Sequence, residues 1–217
     1  MRLYYFLLHL LFPPRCVLCR SLLKKNETDL CPKCRIDGPF YLQTKRKLQF
    51  LDSFAAVWYY EDNVRGSLLR YKFHGARSYA SAYGRLLAMK LREEYPDGFD
   101  VLTWVPVSRL RRLRRGYDQV ELLARAVGRE LDMVPVLTLR KIRHNRQQSR
   151  ILDTAARRAN VLGAYRAVNP ERIREKRVLL LDDILTTGAT VGECARILRT
   201  SGAKEVHCAA LAAPRKR

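Results

Sequence analysis

Two adjacent acids, Asp182 and Asp183, close an apolar run and are followed at once by Thr186, Thr187, Gly188, Ala189 and Thr190. Ionised carboxylates accept hydrogen bonds, so the pair suits an uncharged, donor-rich group such as a sugar diol, and its charge repels phosphate. The loop beyond it suits the opposite partner. Threonine hydroxyls donate, and Gly188 lets backbone N–H groups come close. Residues 191–199 (VGECARILR) carry helical spacing, so the loop ends at a helix start whose free N–H groups and dipole favour an anion. Diol-binding acids beside a phosphate-binding loop describe a ligand such as a ribose 5-phosphate. For both to meet one molecule, the apolar run must be a buried parallel strand that delivers the loop to the helix. The competing reading is a flavodoxin-like receiver with incidental acids at a strand end, which has no need of three threonines and a glycine just after them.

Five arginines form the next group. Arg109, Arg111, Arg112, Arg114 and Arg115 follow Pro106, Val107 and Ser108, just after an apolar segment at 100–105 that reads as a strand. Guanidinium forks match phosphate oxygens, so this loop is either a pyrophosphate clamp or a solvated basic loop. The net charge is +21, and residues 106–177 alone contribute +12 from 19 basic and 7 acidic side chains. The excess lies in the middle third and not in a detachable tail. It suggests a polyanionic partner, with pyrophosphate and nucleic acid the candidates and Arg111, Arg112, Arg114 and Arg115 the candidate nucleic-acid contacts.

Cys16, Cys19, Cys31 and Cys34 form two Cys-x-x-Cys knuckles with eleven residues between them. Four thiolates at this spacing can surround one zinc ion, and a site with four protein ligands is structural because no position stays open. Disulfides in an exported protein are the alternative. Against it, the apolar stretch 1–12 ends in Pro13-Pro14-Arg15-Cys16 without a small-residue cleavage site. That stretch is also far short of the roughly 20 residues a spanning helix needs, and residues 3–11 read as a short packing helix. Cys194 and Cys208 read as small core residues.

The elements that must position these groups alternate. Strands are expected at 54–60, 100–105, 134–137, 162–168, 177–181 and 206–211. Helices are expected at 64–73, 79–92, 120–131 and 191–199, and a mobile loop with a short helix within 140–160. This is an α/β pattern: a doubly wound, mostly parallel sheet over residues 51–217, with a small amino-terminal four-cysteine zinc module and linker over residues 1–50.

The run 178–190 (VLLLDDILTTGAT) resembles the signature of type I phosphoribosyltransferases. The whole chain resembles one branch of them, the ComF family of bacterial competence-associated proteins. The segments that carry the resemblance are FPPRC at 12–16 with both knuckles, LRYKFHG at 69–75 and VPVS at 105–108. It continues through RGYDQVELLA at 115–124, QSRIL at 148–152 with Arg158 and Asn160, and the loop. Asp118 departs from it, since asparagine is usual there. The resemblance implies that the loop from Thr186 to Thr190 cradles the 5-phosphate of phosphoribosyl pyrophosphate (PRPP), and that Asp182 and Asp183 take the ribose hydroxyls and serve catalysis. It also implies that Lys72, Pro106, Val107, Ser108 and Arg109 lie by the pyrophosphate, and that residues 147–150 belong to a loop closing over the site. Magnesium, which suits phosphate and carboxylate oxygens, would accompany the donor. The family's association with transforming DNA implies a cytoplasmic protein, not membrane-spanning, that binds single-stranded DNA, with a competence helicase or ATPase as a further partner. No acceptor pocket is legible. Two readings therefore stand: a PRPP-binding protein of DNA uptake, or an active phosphoribosyltransferase of nucleotide salvage.

Overall fold

The computed structural model describes residues 13–42, 48–73, 75–143 and 159–215. Helix α1 (Pro32–Ile36) belongs to the cysteine module. Then follow β1 (Ser53–Tyr59), α2 (Asp62–Phe73), α3 (Tyr79–Glu94), β2 (Val101–Trp104), α4 (Arg109–Arg115) and α5 (Gln119–Leu131). The chain continues with β3 (Leu139–Lys141), β4 (Tyr165–Ala167), a 3₁₀ turn at Pro170–Arg172, β5 (Arg177–Ile184), α6 (Ala189–Thr200) and β6 (Glu205–Ala213).

The main sheet has the order β1-β6-β5-β2 with every pairing parallel. Its strands are apolar on both faces, as the unbroken apolar runs require. Along β5, Leu179 and Leu181 enter one core with α2, α3 and α5, while Val178 and Leu180 enter the other with α6 and the β3–β4 ribbon. Helices thus cover both faces, and the expected doubly wound sheet is the one observed. Helices α3 and α5 cross closely at Gly84, where a Cβ would lie 2.5 Å from that of Ala126. No described helix is long and apolar enough to cross a membrane.

The cysteine module shares the first of these cores. Val17, Leu18 and Leu30 cluster with Trp58, Tyr71 and Tyr83. Arg70 donates to the carbonyls of Val17 and Leu18, and Arg85 clasps Asp29 with two hydrogen bonds of 2.9 and 2.5 Å. The free edge of β1 is covered by the segment after the module, where the Tyr41 N–H donates to Val57 O at 2.9 Å.

Three expectations need correction. Residues 134–137 form no strand: Pro135 has no N–H, and the segment runs past the edge of β2 with Val136 N–H donating to Leu102 O at 2.8 Å. Pairing begins at Leu139 instead, antiparallel to β4, which is shorter than the expected 162–168. The arginine-rich loop is largely a helix, α4, begun by Ser108, whose side chain caps the Arg111 N–H, and ended by Gly116 in the left-handed region. None of its residues is buried, so it has no apolar stripe for periodicity to reveal. The expected helix at 3–11 and the expected closing loop at 147–150 lie outside the described residues.

Candidate functional site

The carboxyl ends of β2 and β5 open on a cavity of about 620 Å³. Asp182 and Asp183 end β5 on its wall, and Thr186, Gly188, Ala189 and Thr190 continue around it to the start of α6. Gly188 has φ 82°, a conformation that favours glycine, and a Cβ there would meet Leu48 at 2.8 Å. The Ala189 N–H donates to Thr187 Oγ1 at 3.3 Å, which holds the loop in a tight turn.

The two acids are held differently. Asp183 is an ion-pair partner of Lys72, 3.0 and 2.8 Å from its two oxygens, and accepts from Gln119 Nε2 at 2.8 Å. The Gln119 side-chain carbonyl in turn accepts from Arg115 at 2.8 Å. Burial opposes its charge, yet the Lys72 ammonium and the Gln119 amide hold the Asp183 carboxyl below the usual range. Asp182 accepts the Asp183 N–H at 2.8 Å. Burial, and then the charge of Asp183, push its carboxyl up to about 8. The pair thus carries close to one negative charge near neutral pH. The Lys72–Asp183 pair sits on the cavity wall and not inside the core, since both residues line the opening.

Two tyrosines bring Lys72 there. Tyr71 Oη donates to Gln119 O and Tyr117 Oη donates to Tyr71 O, each at 2.6 Å, which clasps the end of α2 to the start of α5. Asp118 occupies the turn between α4 and α5. Its carboxylate accepts the N–H groups of Val120 and Glu121 at 2.9 and 3.2 Å as the α5 cap, and that of Val107 at 3.0 Å. The acid at this position therefore holds backbone and does not face an anion. Asp118→Ala is expected to destabilise the chain by about 2 kcal/mol, combining a lost cap with an orphaned N–H. Urea denaturation measures this, and a change below about 0.5 kcal/mol would contradict the role.

Of the other residues singled out by sequence, Lys72, Pro106, Val107, Arg111 and Arg115 line the cavity. Ser108 is the buried α4 cap and Arg109 is exposed. Arg112 lies 3.5 Å from Glu121, and Arg114 borders a neighbouring cavity. Sequence reasoning missed Gln119, Lys141 and Tyr165. Lys141 Nζ donates to Tyr165 Oη at 3.2 Å on the cavity wall, and burial, then the charge of Arg111, lower its pKa to about 8. Tyr165 falls in the strand expected at 162–168, whereas Lys141 falls in the loop expected within 140–160, because the three residues of β3 are too few to announce a strand.

At the other end of the molecule the Sγ atoms of Cys16, Cys19, Cys31 and Cys34 lie within 4.8 Å of one another, with Cys19 and Cys31 at 3.6 Å. Tetrahedral zinc with bonds of about 2.3 Å needs sulfurs about 3.8 Å apart, so the residues fit the ion. All four are free thiols in one cluster and not two disulfides, and the reading of a structural zinc module holds.

A family model for the phosphoribosyl transferase domain matches residues 113–217, and one for the double zinc ribbon domain matches residues 7–45. Competence protein F of Haemophilus influenzae is 28% identical over 91% of this chain and 96% of its own. Competence protein ComFC of Bacillus subtilis is 29% identical over 86% of this chain and 78% of its own. The DNA utilization protein YhgH of Escherichia coli strain K12 is 28% identical over 88% and 86%. The chain carries the two matched domains in sequence, a double zinc ribbon and then a phosphoribosyl transferase domain, and over most of its length it is similar to the competence and DNA utilization proteins.

Proposed function

We propose that the cavity binds PRPP, with the 5-phosphate on the loop of Thr186, Thr187, Gly188, Ala189 and Thr190 and the ribose diol on Asp182 and Asp183. One observation carries this reading: both acids and the anion-favouring start of α6 face the same cavity. The pyrophosphate lies toward Lys72, Pro106 and Val107, with Ser108 and Arg109 shaping the approach; magnesium accompanying the donor would offset the pyrophosphate charge, with Asp182 and Asp183 as the oxygen-bearing side chains nearest to it. The names of the relatives, competence proteins and a DNA utilization protein, support a role in competence and DNA use; in our reading that role is cytoplasmic, beside a competence helicase or ATPase, with single-stranded DNA on Arg111, Arg112, Arg114 and Arg115. Calorimetric titration with PRPP and magnesium tests the donor site; the expected result is saturable binding near one equivalent, and none would end the proposal.

A second reading, a transferase acting on a nitrogenous acceptor in nucleotide salvage, is favoured by the size of the cavity. It continues past the acids to Tyr60, Arg65 and Leu69. Pyrophosphate release across a panel of bases and amines decides between the two.

The DNA part has its own measurement. Affinity for a single strand should fall steeply with salt, by a log–log slope of about 0.7 for each phosphate contacted. Arg111→Ala/Arg112→Ala/Arg114→Ala should reduce that slope by about 2; an unchanged slope removes this helix from the interface.

A further inference from the structure

Beside the donor cavity lies a second one of about 370 Å³, which shares Lys72, Phe73, Arg111 and Arg115 with it. The donor reading makes no use of what is peculiar to it. Five lining residues are cations (Lys72, Arg77, Arg111, Arg114 and Arg115), and among the described residues lining it none is acidic. Cations so placed repel one another, and burial, together with the charge of Arg111, disfavours the Arg115 guanidinium.

Aromatic rings hold part of this set in place. The Arg77 guanidinium lies over the Tyr117 ring at 4.5 Å, and that of Arg115 over the Phe73 ring at 4.8 Å. A guanidinium stacked on a ring keeps its N–H edges for in-plane acceptors, and phosphate oxygens match that fork. Phe73 is 46% exposed, so it also offers apolar surface to a flat group. A concentrated positive charge, forked donors and an open ring together describe recognition of a nucleotide and not of a bare anion.

We propose that this second cavity is a nucleotide-phosphate subsite, taking a phosphate ester on Arg77 and Arg114 with the attached base against Phe73. The nucleotide is either a free monophosphate or one unit of a single strand; the recognised chemistry is the same. The site is also wired to the donor cavity, because Arg115 reaches Asp183 through Gln119.

The test titrates the full chain with thymidine 5′-monophosphate, a short oligothymidylate and inorganic phosphate. Arg77→Gln/Arg114→Gln should weaken the monophosphate and the oligonucleotide about tenfold, a loss of about 1.4 kcal/mol. It should leave PRPP affinity at the wild-type level, since neither residue lines the donor cavity. Arg77→Lys/Arg114→Lys, which keeps the charge without the fork, should fall between. Phe73→Ala should weaken the monophosphate and spare inorganic phosphate. An oligonucleotide that binds more tightly than the monophosphate identifies a strand as the source, and equal affinities identify the free nucleotide. Wild-type nucleotide affinity in the glutamine variant, or inorganic phosphate binding as tightly as the monophosphate, overturns the proposal. Failure of the wild type to take up PRPP would count against the donor site alone, since the nucleotide titrations are read separately.

Discussion

Asp182→Asn/Asp183→Asn is expected to lower PRPP affinity by at least about 100-fold, measured by calorimetry with magnesium present. An accepted sugar hydroxyl contributes roughly 1.5–3 kcal/mol at the charged Asp183 and about 0.5–1.5 kcal/mol at the protonated Asp182, so the two losses together centre on about 3 kcal/mol, against about 2.7 kcal/mol for 100-fold. Asparagine keeps the volume, so the loop of Thr186, Thr187 and Thr190 should still meet the 5-phosphate, and residual weak binding is part of the expectation. The two single variants should differ. Asp183 is tied to Lys72 and Gln119, so Asp183→Asn also releases a cation on the pyrophosphate side and should cost stability. Asp182 accepts the Asp183 N–H and carries the raised pKa, so its loss should register in binding first. Full affinity in the double variant would place the sugar elsewhere.

The same acid provides an independent check through stability. The Asp182 carboxyl is pushed from 3.8 to about 8 by burial and by the adjacent charge of Asp183. Between those values the folded chain holds a proton that the unfolded chain has released. Ligand-free stability contributed by this group is therefore full below about pH 4 and is lost as pH rises toward 8. Asp182→Asn should flatten that part of the pH–stability curve and leave the ligand-free chain more stable near pH 8 than the wild type. A residue that costs stability without ligand and is needed with it is placed for binding and not for folding.

The strand–acid–threonine loop–helix arrangement was legible because it is contiguous: strand, acids, loop and helix follow one another within 178–199, and a parallel strand buried on both faces writes itself as an apolar run. The zinc cluster was legible for a similar reason, since knuckle spacing fixes the ligand set. What the sequence hid depends on contacts between distant segments. Gln119 touches Asp183 because α5 packs on β5, and Lys72 joins them where two tyrosines clasp α2 to α5. Helix α4 hid because it buries nothing, and its ends, Ser108 and Gly116, are signals that its flanking arginines drown out. Asp118 looked like a departure in an anion site until its three backbone donors placed it as a cap. Strand β3 hid because three residues give no periodicity to read, and the strand expected at 162–168 keeps only the three residues that pair with it.

Removing zinc is expected to unsettle the whole chain and not the ribbon alone. Structural zinc–thiolate sites bind with apparent free energies of about 10–16 kcal/mol near neutral pH, and that energy is folding energy wherever the site does not preform. Here the ribbon has little core of its own: Val17, Leu18 and Leu30 pack into the cluster that holds Trp58, Tyr71 and Tyr83. Its carbonyls accept from Arg70, and Asp29 anchors Arg85. Freed from the ion, four thiolates would repel or protonate, and the face of α2 and α3 beneath them would lose its cover. Since about 1 kcal/mol moves the melting temperature of a chain this size by roughly 2–4 °C, chelation or Cys31→Ser/Cys34→Ser should lower it by at least about 10 °C. Elemental analysis should give one zinc per chain beforehand. The consequence reaches the proposed donor site, because α2 carries Lys72, the partner of Asp183, in its last turn; PRPP affinity should therefore fall in the stripped chain even below its melting point. A chelated chain that keeps both its melting temperature and its PRPP affinity would mean that the ribbon is an appendage and that its packing against α2 does not matter.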